Sequence, residues 1–344
     1  MDPVSQGLVG SVLPQSVSNK KELRLAALIG FLAGLLADID VVIRSSSDPL
    51  LFLDYHRQFT HSIIFIPIGG LIAALLLWLF FKKRLNFWKI YFYAVLGYGT
   101  HCFLDTCTNY GTQLLWPFSD ARLAWNNISI IDPLFTLPLL VIVLIAIFRK
   151  SVFTARIGFV FAVIYLLFGL YQREEAKEAL IELAKKRGHT AEMVMVHPSI
   201  GNLIVWRSIY RSGDRYYVQA IRVSPISKTI VYSGDSIEAF YPNRELSNLK
   251  PDSVLSSDIN RFSKFAKNYL VVHPDYPDIV GDLRMGILPN SIMPLWGIRI
   301  DQNNQTEHVS MENYGRTVDG DKIQTFISMI LGKELPSANL QQTQ

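Results

Sequence analysis

The side chains of this chain that could do chemistry fall between Asp38 and Asp132, in four short groups. These are Asp38 and Asp40 in ADID, His56 and His61 in HRQFTH, His101 and Asp105 in HCFLD, and Asp132 in IIDP. His101 and Asp105 are four apart, so a helix puts an imidazole and a carboxylate on one face. Each group alone has an ordinary explanation: a hydrogen bond within a helix, a loop histidine, a cap. Together the first three groups offer three imidazoles and three carboxylates, a set that suits zinc, with manganese or iron as lesser options. Six candidate ligands exceed the four of a structural zinc. Cys102 and Cys107 point differently around a helix and read as small apolar residues. A cysteine-free, open site of this kind reads as catalytic, with room for two ions. In that reading Asp38, Asp40, His56, His61, His101 and Asp105 hold metal, and a water activated by it is the nucleophile. Asp40 also acts as base, and Asp132 is a bridging or outlying candidate. Arg57 or Arg122 could hold a substrate anion, although Arg57 also reads as an interfacial side chain snorkelling to water. No Ser-His-Asp order, phosphate loop or dinucleotide fingerprint is present.

The elements that must position these residues are apolar. Of 344 residues 50% are hydrophobic and only 18% charged, which excludes a disordered or fibrous chain. The net charge of +4 is too small and dispersed for nucleic acid. Residues 62–81 carry no charge over twenty positions, enough to cross a hydrocarbon layer of about 30 Å. Runs at 25–43, 87–107, 128–148 and 151–171 predict four more spans. The expected fold is therefore an all-α polytopic bundle of about five transmembrane helices over residues 1–171. Val4, Leu8 and Val12 share a helical face, which suggests a short interfacial helix before the first span. No cleavable signal peptide is expected at the start.

After Tyr171 the composition changes. Residues 172–188 read as a solvated linker helix, with acids in its first turn, bases in its last and Gly188 as a stop. Residues 189–344 alternate as strands do and predict a small α+β or β-rich soluble domain, with a hairpin at Ser212-Gly213-Asp214, a helix over 258–270 and a strand within 282–300. His197, His273 and His308 show no spacing that suggests ligation.

With five spans, ten basic residues (Lys20, Lys21, Arg24, Lys82, Lys83, Arg84, Lys89, Arg149, Lys150, Arg156) lie on one face. Four lie on the other (Arg44, Arg57, Arg122, Arg173), which places the first face in the cytoplasm and the C-terminal domain in the periplasm. The candidate ligands then converge at the outer face. A carboxylate at membrane depth costs about 2.5–3.5 kcal/mol unless a cation or water compensates it. Thr106, Thr108 and Asn109 could orient ligands, and Trp116, Phe118 and Trp125 could anchor the loop at the interface.

The opening MDPVSQGLVG, ADID, HRQFTHS, HCFLDTCTNYGTQLLWPFS and IIDPLF together resemble the YdjM-type family of LexA-regulated, inner-membrane, metal-dependent hydrolases. The resemblance covers residues 1–150 closely, and the remainder is similar to the extension of longer members. It implies a membrane-bound hydrolase with a divalent metal. Gln6 stands where many relatives have histidine. The order Asp, His, His-x-x-x-Asp is more distantly similar to zinc phospholipase C and single-strand zinc nucleases, which implies phosphoester cleavage.

The expected function is hydrolysis of a phosphoester of a lipid or lipid-linked substrate, with membrane lipids as neighbours and no nucleic acid. The rivals are a metal-ion or proton transporter, which would want polar residues in both leaflets, and a non-catalytic scaffold braced by metal.

Overall fold

The computed structural model describes residues 1–314 and 319–335, so residues 315–318 and 336–344 of the expected C-terminal domain lie outside the described residues. The chain forms two units. The first comprises Met1–Ile43, Tyr55–Tyr171 and Ile200–Leu203; the second comprises Arg44–Asp54, Gln172–Ser199 and Ile204–Gln344.

In the first unit, α1 (Pro3–Val17) starts where Asp2 accepts from the Ser5 amide and proline takes the first helical position. Its residues from Ser5 to Val12 are all buried, so α1 is a core helix and not the expected interfacial one. Glycines are the reason. A Cβ on Gly30 of α2 (Leu23–Leu36) would stand 2.0 Å from the Gly10 carbonyl oxygen. One on Gly97 of α5 (Phe87–Thr106) would stand 2.4 Å from that of Gly30. Only glycine permits three backbones to approach so closely.

A 3-10 turn, Ala37–Val42, prolongs α2. Then come α3 (Leu51–Tyr55), a second 3-10 turn at Phe59–His61 and α4 (Phe65–Phe81). The last two of the bundle are α6 (Pro133–Arg149), capped by Asp132, and α7 (Val152–Lys186).

Among the described residues the expected five spans reduce to two helices long and apolar enough to cross a membrane, Leu23–Val42 and Val152–Lys186. A third is added if Leu51–His61 and Phe65–Phe81, bent by 85°, count as one. The helix α6 has only 17 residues, about 26 Å, short of the hydrocarbon layer. The helix α5 is long enough at 20 residues but is diluted by Lys89, Thr100, His101 and Asp105. With the span count goes the assignment of basic loops to one face, and the expected periplasmic side of the tail no longer follows from it. The linker helix is also corrected: 172–186 is the second part of α7, a single helix of 35 residues.

The second unit is built on two four-stranded antiparallel meanders. The first runs β1 (Met193–Pro198), β2 (Val205–Ser212), β3 (Arg215–Ser224) and β4 (Ser227–Glu238). Gly213, at φ +58, turns the β2–β3 hairpin, with Ser212 opposite Arg215. After α8 (Pro242–Glu245), α9 (Val254–Phe265) begins earlier than expected because Ser253 caps the Ser256 amide. The second meander is β5 (Leu270–His273), β6 (Tyr276–Asp282), β7 (Trp296–Arg299) and β8 (Met311–Asn313), followed by α10 (Gly320–Leu331). Buried charges organise its interior. Arg284 forms a two-pronged ion pair with Asp282, and Arg207 donates to the carbonyls of Leu283, Leu288, Pro289 and Ser291. His197 lies buried with Nε2 against the Arg284 carbonyl oxygen; burial and the nearby Arg207 push its pKa down to about 4.

Candidate metal centre

Asp38 and Asp40 sit in the 3-10 turn after α2, His61 ends the turn that precedes α4, and His101 and Asp105 face inward from α5 one turn apart. Their tips meet. His61 Nε2 and His101 Nε2 are 3.0 Å apart. Asp38 Oδ1 lies 3.4 Å from the first and 3.3 Å from the second. Asp105 Oδ2 lies 3.3 Å and 3.5 Å from the same two nitrogens. Ligands about 2.0–2.1 Å from a tetrahedral zinc are themselves about 3.3 Å apart, so these spacings fit such an ion.

The far side of each ring fixes its tautomer. His101 Nδ1 donates to the Gly34 carbonyl oxygen at 2.5 Å. Thr60 Oγ1 donates to Asp40 Oδ2 at 2.6 Å and so accepts from His61 Nδ1 at 2.9 Å. Both Nε2 lone pairs therefore point at one spot, as in metal-bound histidines backed by an acceptor. Asp38 Oδ1, Asp105 Oδ2 and Gln6 Oε1 are buried oxygens without a hydrogen-bond donor. With both Nδ1 atoms donating, two imidazole lone pairs and the oxygens of Asp38 and Asp105 face one spot, a donor set that could hold a divalent cation.

A second group, Asp38, Asp40 and His56, shares Asp38 with the first. His56 Nδ1 contacts Asp40 Oδ1 at 2.8 Å, and the Arg57 amide donates to Asp40 Oδ2 at 3.0 Å. Asp40 is thus fully engaged, against its expected role as base.

The other candidates move. Arg57 is buried, its Nε 2.9 Å from Asp105 Oδ2 but not aligned for a hydrogen bond, and its NH1 donates to Thr108 Oγ1. It neither snorkels nor faces a substrate; it braces a ligand. Arg122 donates to the His56 carbonyl oxygen. Asp132 stands apart from the cluster: one oxygen caps α6 and the other accepts from Tyr165, which leaves it a helix cap and not a bridging residue. Of the three expected orienting side chains, Thr108 holds Arg57 and Thr106 bonds back to the Cys102 carbonyl oxygen. Sequence reasoning missed Thr60 and the role of Gln6, whose Nε2 donates to Asp105 Oδ1 at 2.6 Å. The Met1 amino group meets the same oxygen. Thr60 adjoins His61 and Gln6 lies far from every ligand candidate in sequence, and neither neutral side chain leaves a spacing signature.

The family model for the YdjM inner membrane protein matches residues 1–176. The chain belongs to the YdjM inner membrane protein family. Asp38, Asp40, His56, His61, His101 and Asp105 of this YdjM protein all fall within the matched residues. Its sequence is also similar to the uncharacterized protein YfhP of Bacillus subtilis (strain 168), 34% identical over 109 residues. That alignment covers 31% of the YdjM protein and 33% of YfhP, so it spans about a third of that relative's length. No solved structure matches.

Proposed function

We propose that this YdjM protein is a metal-dependent hydrolase of the inner membrane, acting on a phosphoester of a lipid or lipid-linked molecule. The observation that carries the reading is the convergence of His61 Nε2, His101 Nε2, Asp38 Oδ1 and Asp105 Oδ2, drawn from three separate segments, at zinc-like spacing. A divalent ion there supplies Lewis acidity and lowers the pKa of a water toward neutrality. Asp38, with 29% of its side chain exposed, is the ligand through which solvent and substrate reach the buried group. Arg57, Thr108 and Gln6 hold Asp105 in place, and Thr60 holds His61. His56 and Asp40 serve as ligands of a second ion, or His56, held by Asp40, is the proton acceptor, and zinc stoichiometry separates the two roles. A lipid-linked substrate is favoured by the helical setting and by exposed apolar side chains such as Val42 beside the acidic turn and Phe118 in the loop after α5.

The test is zinc analysis of the purified full chain together with a panel of phosphoester and ester substrates. Zinc at one or two per chain, with phosphoester hydrolysis that a chelator stops and His101→Ala abolishes, is the expected result. Gradient-driven cation uptake by vesicles without hydrolysis would overturn it in favour of transport.

A further inference from the structure

The segment Arg44–Asp54 joins Asp40 to His56, yet it is part of the second unit. Within that unit Arg261 grips it, and His308 Nδ1 lies 3.8 Å from Asp48 Oδ1. Arg261 on α9 donates from Nε to Asp54 Oδ2 at 2.8 Å, and its NH2 lies 2.7 Å from the same oxygen. NH1 reaches Asp48 Oδ1 at 3.0 Å and NH2 reaches Asp48 Oδ2 at 3.0 Å. The remaining NH1 donor goes to Asp258 Oδ1 at 2.9 Å. Four hydrogen bonds and one further ion-pair contact thereby tie the guanidinium to three carboxylates. Asp258 is itself fixed, its side chain wholly buried and accepting from the Val309 amide and from His308. Two of the three carboxylates belong to Arg44–Asp54, and Asp54 is two residues from His56.

We infer that Arg261 is a positioning residue for the metal centre: by gripping Asp48 and Asp54 it sets the path of the chain that delivers His56 and the Arg57 amide to Asp40. The inference rests on the hydrolase reading for its consequence but not for its geometry. Arginine is required because a lysine ammonium is a point charge that cannot span three carboxylates at once. Arg261 is then a condition for assembling the centre, acting through the chain between Asp54 and His56.

The experiment uses the full chain with Arg261→Ala and Arg261→Lys. Arg299→Ala, which removes exposed ion pairs with Asp278 and Glu312, is the control. Amide hydrogen exchange is followed first in chelator. In Arg261→Ala, residues 55–62 should exchange about tenfold faster while β2 and β3 keep their protection, since a local opening leaves the sheet intact. Zinc affinity should then fall by about 10–100-fold, the usual loss when support behind a ligand is removed. The absorption of added cobalt(II) should shift, and the lysine variant should recover only part of each effect. Unchanged exchange over 55–62 with an unchanged cobalt spectrum would overturn the inference. Should Arg261→Ala unfold the sheets, Asp54→Asn, which leaves Asp48 and Asp258 on the arginine, decides the same question. If the unmodified chain binds neither zinc nor cobalt, the hydrolase reading fails, and the exchange data still decide the role of Arg261.

Discussion

The two units bury charge in opposite ways. In the first, Asp38 Oδ1, Asp105 Oδ2 and Gln6 Oε1 are buried acceptors without a hydrogen-bond donor, and Arg57 Nε lies 2.9 Å from Asp105 Oδ2 without aligning for a hydrogen bond. In the second, the buried arginines meet their acceptors within the fold. Arg284 faces Asp282 and Arg207 caps four carbonyls, with one donor nitrogen of each left over. One region pairs its buried arginines within its own fold; the other crowds Asp38, Asp40 and Asp105 around Arg57, the Met1 amino group and two facing imidazoles, an arrangement that the proposed cation would complete. Burying carboxylates costs several kcal/mol per ion, which a cation bound there would offset. The contrast separates a structural use of buried charge from a functional one more sharply than burial alone.

The contrast can be broken by removing one charge from each side. Arg284→Ala leaves Asp282 buried and alone, and should destabilise the second unit by about 3–5 kcal/mol in denaturant unfolding, with zinc content unchanged. Acid should act on the same unit. His197 is held neutral, with its pKa lowered to about 4. Its contribution is therefore fully present above the ordinary value of about 6.5 and is lost as the pH falls from there through 4, because the unfolded chain takes up a proton that the fold refuses. Thermal unfolding across that window should show the loss, and His197→Gln should flatten it. In the first unit, Asp105→Asn should cut zinc affinity at least 10–100-fold by isothermal titration. A variant with full zinc would show that the orphaned oxygens are not ligands. Gly30→Ala, whose methyl would collide with the Gly10 carbonyl, should cost about 1–3 kcal/mol in thermal unfolding through overpacking, without a direct effect on the ligands.

Much of the centre was legible because charge in an apolar run is conspicuous. The i, i+4 pair His101 and Asp105, the acidic turn and His61 all stood out against uncharged neighbours. Asp132 stood out equally and proved to be a cap, since a sequence does not show which carboxylates have a helix N-terminus to satisfy. Span number was misread for a related reason: residues 62–81 are uncharged throughout, but the chain bends by 85° ahead of α4. Hydropathy reports composition and carries no direction. The burial of α1 was hidden because its determinants are glycines, which signal by an absent side chain. In the second unit, alternation revealed strands, but the grip of Arg261 on residues more than two hundred positions away has no local trace.

That grip bears on how such a chain can be recombined. The family match ends at residue 176, which invites a view of the remainder as a cassette added to a complete catalytic module. Arg44–Asp54 contradicts that simple modularity, for it is encoded inside the matched region and clasped by a residue outside it. A chimera that exchanges only the part after residue 176 would inherit Asp48 and Asp54 with no counterpart to receive them. The segment and the tail are one unit of inheritance, and their substitutions should travel together.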